Sequence, residues 1–123
     1  MNNVPVVMIN AVDTQTQTGA PVFTGQVFSA SFTVRCGDAT AAGTVKIQGS
    51  NEPCSTRGSQ NPNTYVPANA SFNDIPNATS AVVAGVGPAI IIGQCPFQYL
   101  RAVFTYSSGG NSTIQVLGTL ASS

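Results

Sequence analysis

The sequence predicts an all-β fold: a single antiparallel β-sandwich, or jelly-roll-like domain, of about seven or eight strands. Three observations lead there. No segment holds a helical period. The apolar residues instead alternate with polar ones, or form short β-branched runs. Clusters of Gly, Pro, Asn and Ser break the chain at the spacing of short strands.

Taken in order, Val4 to Ala11 reads as an edge or arm strand and Asp13 to Gly19 as a Thr/Gln-rich loop, so residues 1–24 form an N-terminal arm or edge strand. The clearest strand is Gln26 to Cys36: Phe28, Ala30, Phe32, Val34 and Cys36 share one face, and Ser29, Ser31, Thr33 and Arg35 the other. After a small polar loop, 37–43, the stretch Thr44 to Ser50 alternates again, with Val45 and Ile47 inward and Lys46 and Gln48 outward. Residues 51–69 carry Pro53, Gly58, Pro62 and Pro67, the composition of a long loop, with Phe72, Ile75 and Pro76 returning it to the core. Ala81 to Ala84 and Ala89 to Ile92 read as short strands interrupted by Gly85-Val86-Gly87-Pro88. In Phe97 to Tyr106, Leu100, Ala102, Phe104 and Tyr106 share a face opposite Arg101, Val103 and Thr105. Ser107-Ser108-Gly109-Gly110-Asn111 is a hairpin signal, and Ser112 to Leu120 is expected to return as the partner strand.

At 123 residues and 12.5 kDa the chain suits one domain, 1–123. A compact chain of this mass has roughly 6,200 Å² of accessible surface. Charged residues make up only 7% of the chain, against roughly 25% in ordinary domains. They are Asp13, Asp38, Glu52, Asp74, Arg35, Lys46, Arg57 and Arg101. That is one charge per ~770 Å². Binding nucleic acid or an acidic membrane needs clustered cations, so neither is expected as a partner. Weak repulsion between copies favours a homo-oligomer. Met1-Asn2-Asn3 lacks the basic residues of a signal peptide, and no apolar run approaches a membrane span, so synthesis in a cytoplasm is expected.

Cys36, Cys54 and Cys95 are three, with no CxxC pair and no His. An odd count reads as reduced thiols, with a Cys36–Cys54 bridge as the alternative. Without His a zinc site lacks its fourth ligand, and a Cys nucleophile lacks its usual base. Lys46 lies in an alternating strand and reads as a solvated lysine. Glu52 and Asp74 are the only carboxylate pair to weigh for glycoside hydrolysis, and turn formation explains an Asp equally well. Gly85-Val86-Gly87-Pro88 lacks the following helix of a phosphate loop. Arg101 interrupts an apolar strand and reads as a packed structural arginine. The sequons at Asn69, Asn77 and Asn111 are expected by chance in a chain so rich in Asn and Ser. No enzyme, cofactor or metal is expected.

Three segments carry a family resemblance. Gly43-Thr44-Val45-Lys46-Ile47-Gln48-Gly49-Ser50-Asn51-Glu52 resembles the G-T-hydrophobic-K-hydrophobic-Q-x-S-N-D strand and turn of small tailed-bacteriophage virion proteins. Ser71-Phe72-Asn73-Asp74-Ile75-Pro76 is similar to the W-x-D-I-P stretch that follows there, with Phe72 in place of Trp. Cys95 to Gly110 resembles the closing Y-x-x-hydrophobic-R-hydrophobic-x-hydrophobic-T-x-x-S-G hairpin. The resemblance spans about residues 27 to 120 and implies a β-sandwich of the phage particle. It implies a virion protein of the head decoration (cement) or head-fibre type that binds the major capsid protein or other virion proteins. The alternative is a tail or head-fibre adhesion module for a host surface glycan, which would use an exposed aromatic near Tyr65, Tyr99 or Tyr106. The family pattern contains no catalytic residues.

Overall fold

The computed structural model describes residues 3–24, 27–37, 42–51, 67, 71–82, 85–87, 89–93, 97–110 and 112–122. Within them lie ten strands: β1 (Asn3–Val12), β2 (Gln17–Thr18), β3 (Val22–Phe23), β4 (Val27–Cys36), β5 (Ala42–Ser50), β6 (Phe72–Ala81), β7 (Gly85–Val86), β8 (Ile90–Ile92), β9 (Tyr99–Ser108) and β10 (Thr113–Ser122). Four of them are only two or three residues long, which accounts for the excess over seven or eight. Among the described residues no helix is long and apolar enough to cross a membrane.

The strands form two antiparallel sheets. Sheet A runs β1-β10-β4, with β7 and β8 both along the far edge of β4. Sheet B runs β6-β5-β9, with β2 and β3 both along the far edge of β9. The sheets face each other over one apolar core, to which sheet A gives Phe32, Val34, Ile114 and Val116 and sheet B gives Val45, Ile47, Leu100 and Phe104, all essentially without solvent contact. The total accessible surface, 6529 Å², is close to the compact value expected for this mass.

The alternation read in the sequence sets these faces. On β4, Ala30, Phe32, Val34 and Cys36 are buried while Ser31 and Arg35 are exposed. On β5, Val45 and Ile47 point inward, and on β9, Leu100, Ala102 and Phe104 do the same. The continuous apolar run of β1 is resolved by a bulge between Val7 and Ile9. The extra residue shifts the phase, so Met8 and Ile9 are both buried in succession while Val7 and Asn10 face out.

Four expectations are corrected. Within the expected 13–19 loop, Gln17–Thr18 pairs with Phe104 and Val103 as β2. Residues 72–81 do more than return a loop: they form β6, a ten-residue edge strand of sheet B. Its pairing breaks between Lys46 and Gln48, with Asn77 at φ 65°. Pro76 sits there because an edge strand needs no second row of N–H donors. Of the strand expected at 81–84, Ala81 ends β6 and residues 83–84 lie outside the described residues, while Gly85–Val86, taken for an interruption, is itself β7 on β4. The 107–111 turn does not make a hairpin either. β9 is already flanked by β5 and by β2 and β3, so the chain arches to the other sheet and β10 pairs with β1 and β4. Gly109 and Gly110 make that arch at φ 73° and 85°. Glycine adopts this conformation without Cβ strain.

A buried carboxylate pins the arch. Asp13, just past β1, has no solvent exposure; its Oδ1 accepts from the Ser112 backbone N–H at 3.0 Å and its Oδ2 from the Cys36 thiol at 3.4 Å. Its own N–H donates to the Ser112 carbonyl at 3.3 Å. Cys36 is therefore a buried thiol, not half of a Cys36–Cys54 bridge. Cys54 and Cys95 lie outside the described residues.

Candidate interaction surfaces

With the inward faces consumed by the core, the chemistry of the molecule lies on the outer faces of the two sheets. They differ in kind. The outer face of sheet B gathers three of the chain's eight charges, Lys46 on β5, Asp74 on β6 and Arg101 on β9. Lys46 Nζ lies 3.2 Å from Asp74 Oδ1, and Gln48 Nε2 donates to the same oxygen at 2.8 Å. Arg101 Nε donates to Gln48 Oε1 at 2.8 Å, and its guanidinium stacks 4.1 Å from the centre of the Phe72 ring. Cross-strand register brings this ladder together: Gln48 faces Asp74 on one side and Arg101 on the other.

The ladder assigns roles to residues singled out in the sequence. The Gln48 hydrogen bond, and then Lys46, hold the Asp74 carboxyl below its ordinary range, which makes it an acceptor rather than a proton donor. Glu52, its proposed partner, lies outside the described residues. Lys46 is ion-paired across the sheet rather than simply solvated. Burial lowers the pKa of Arg101, and its stacking on Phe72 makes it the packed arginine expected. Tyr99 is fully buried, tilted against Phe23 at 5.4 Å between ring centres, so it offers no platform to a sugar. Tyr106 is half-buried with its hydroxyl donating to the Gly109 carbonyl at 2.9 Å, and Tyr65 lies outside the described residues. Among the described residues no group of three His, Cys, Asp or Glu side chains could hold a metal.

The outer face of sheet A is nearly uncharged. Three rows cross it: Pro5, Thr119, Ser31 and Ile91; Val7, Leu117 and Thr33; Asn10, Gln115 and Arg35. Arg35 is the only charge among them. Val7 is 63% exposed, Val12 46% and Ile91 71%, the large exposed apolar side chains of the described structure. Four strands at ~4.8 Å spacing and ten residues at ~3.3 Å give a footprint on the order of 600 Å², the scale of one side of a specific protein interface. At one end a cleft of about 290 Å³ opens between Arg35, Gly37, Gly85, Thr113 and Gln115. None of these surface positions could be ranked from sequence, because the register that gathers them joins residues more than a hundred positions apart.

The long sheet edges are less inviting. β1 carries Pro5 and its bulge, and β6 carries Pro76 and its own irregularity, devices that blunt strand-to-strand addition.

Fold and faces together define a two-sheet antiparallel β-sandwich. No protein-family model matches the sequence, and no curated protein matches it. Among solved structures the chain is similar to the SPBc2 prophage-derived protein YomS, with a TM-score of 0.57 over 97% of this chain and 92% of that one. At 11% identity the likeness is one of fold.

Proposed function

We propose that this protein is a non-enzymatic structural component of a tailed-phage particle, a capsid decoration or cement protein that binds and stabilises the head through protein–protein contacts. The observation that carries the reading is the outer face of sheet A, four strands wide, holding a single charge and exposing Val7, Val12 and Ile91. Depletion of charge at the centre of a patch is the mark of a protein-binding surface. The shared fold with a prophage-derived protein and the ordered virion-type segments at 43–52, 71–76 and 95–110 support the particle as its setting. In this reading the chain is made in the bacterial cytoplasm, assembles as a homo-oligomer and resides on the virion. Nucleic acid and membrane are not partners in this reading, since Lys46 is neutralised by Asp74 and the chain has only four cations in all.

The test is co-sedimentation of the purified chain with shells assembled from the major capsid protein of its own phage. Saturable binding with a raised shell melting temperature is expected; no co-sedimentation under conditions that keep the chain folded would count decisively against the reading. A second reading, a fibre module binding a host glycan, is favoured only by the half-exposed Tyr106. It requires glycan-array binding that Tyr106→Ala abolishes.

A further inference from the structure

Each charged side chain among the described residues other than Arg35 has a partner: Lys46 with Asp74, Arg101 with Gln48 and Phe72, Asp13 with Ser112 and Cys36. Arg35 stands exposed on sheet A, with no carboxylate facing it within the described structure. It also lines the cleft of about 290 Å³ at the end of that face with Thr113 and Gln115, whose amide nitrogen keeps one N–H beyond the one it donates to Asn10 Oδ1 at 3.4 Å. Across β4 from these, β7 places Gly85 opposite Cys36, and a Cβ built on Gly85 would meet nothing within 4 Å. Next to it the Gly87 N–H donates to the Val34 carbonyl at 3.0 Å, which holds β7 against β4. A guanidinium presents a planar fork of donors, and its best-matched occupant is a carboxylate taken in two-point fashion.

We propose that this cleft receives an Asp or Glu side chain of the protein on which sheet A docks, with Arg35 as the ionic anchor and Thr113 and Gln115 as neutral donors. The uncharged remainder of the face places no competing charge beside the pair. Among the described residues the chain's own carboxylates are committed elsewhere, Asp13 buried and Asp74 paired on the opposite sheet, so the occupant is a carboxylate of another protein. This inference deepens the docking reading above and rests on it for the identity of the partner, but the chemistry of the cleft can be read separately.

Two arms test it. In the first, amide and arginine Nε–H resonances of the chain are followed by NMR against the peptides Ac-Ala-Asp-Ala-NH2 and Ac-Ala-Asn-Ala-NH2. Saturable movement of Arg35 Nε–H and the Gly37 and Gly85 amides is expected with the Asp peptide. Binding should be about tenfold weaker with the Asn peptide, and about tenfold weaker for the glycine amides in Arg35→Gln. Equal response to both peptides, or in Arg35→Gln, overturns the proposal. In the second arm, Arg35→Gln is expected to bind shells about tenfold more weakly than the wild type, with Arg35→Lys between them. Shell binding unaffected by Arg35→Gln also overturns it. If the wild type ignores shells while the peptide arm succeeds, the capsid reading falls and the carboxylate cleft stands.

Discussion

Replacing Val7 and Ile91 together by Ala separates folding from docking. Val7→Ala removes two carbons and Ile91→Ala three, at about 0.8 kcal/mol for each carbon fully buried on binding. Only area still exposed in the isolated chain, 63% for Val7 and 71% for Ile91, can be buried by a partner. The lost burial is then about 1.0 kcal/mol at Val7 and about 1.7 kcal/mol at Ile91. Together these amount to close to a hundredfold in Kd. The two residues lie at opposite margins of the face, on β1 and β8, so the losses should add. In the free chain both side chains point to water, and the cost to folding is limited to strand propensity, within about 1 kcal/mol. The assay is a binding isotherm on assembled shells, with thermal unfolding of the free chain as control. A double variant that binds within threefold of wild type while keeping its melting temperature would refute the assignment of sheet A as the docking face.

Three further outcomes follow from other parts of the molecule. Asp13→Ala removes the acceptor of the half-buried Ser112 N–H and of the buried Cys36 thiol. It is expected to cost about 2 kcal/mol, read as a lower denaturation midpoint at constant m-value. Gly49→Ala would drive a Cβ into the Phe97 ring. Overpacking of about 1–3 kcal/mol is expected in the same measurement. Asp74 has a folded pKa below its unfolded one, so the stabilisation from its ladder is fully present above the ordinary carboxylate pKa and is lost as pH falls through the lowered folded value. An NMR titration should place its midpoint below that of an Asp in a peptide, and Gln48→Ala should move it back up.

Much of the fold was legible because the strands that form the core alternate cleanly. Phe32, Val34, Val45, Ile47, Leu100, Ala102 and Phe104 could be assigned inward by period alone. β6 was not legible, since Asp74, Pro76 and Asn77 all argue against a strand and only the irregular pairing with β5 accommodates them. The arch after β9 was misread for a different reason. Two glycines at positive φ serve a hairpin and a sheet-to-sheet crossover equally, and only the occupied flanks of β9 decide between them. The nature of Arg101 could be read from its apolar strand, but its contacts with Gln48 and Phe72 needed the register. The neutral face of sheet A followed from the low charge in general terms; which residues compose it did not.

The pairing of β1 with β10 sets Asn3 beside Ala121, with β10 between β1 and β4. The central strand of sheet A is thus the last of the ten strands to leave the ribosome. Sheet B can pair its long strands β5, β6 and β9 once residue 108 has emerged, whereas β1 and β4 hold their apolar faces without the strand that joins them. At about 5–20 residues per second, the wait from residue 36 to residue 122 lasts roughly 4–17 seconds of translation. Closing so distant a pair also makes the final step slow. A cell making many copies of this chain would hold many half-built sandwiches at once, and the yield of folded chain would be sensitive to the chaperones that shelter them.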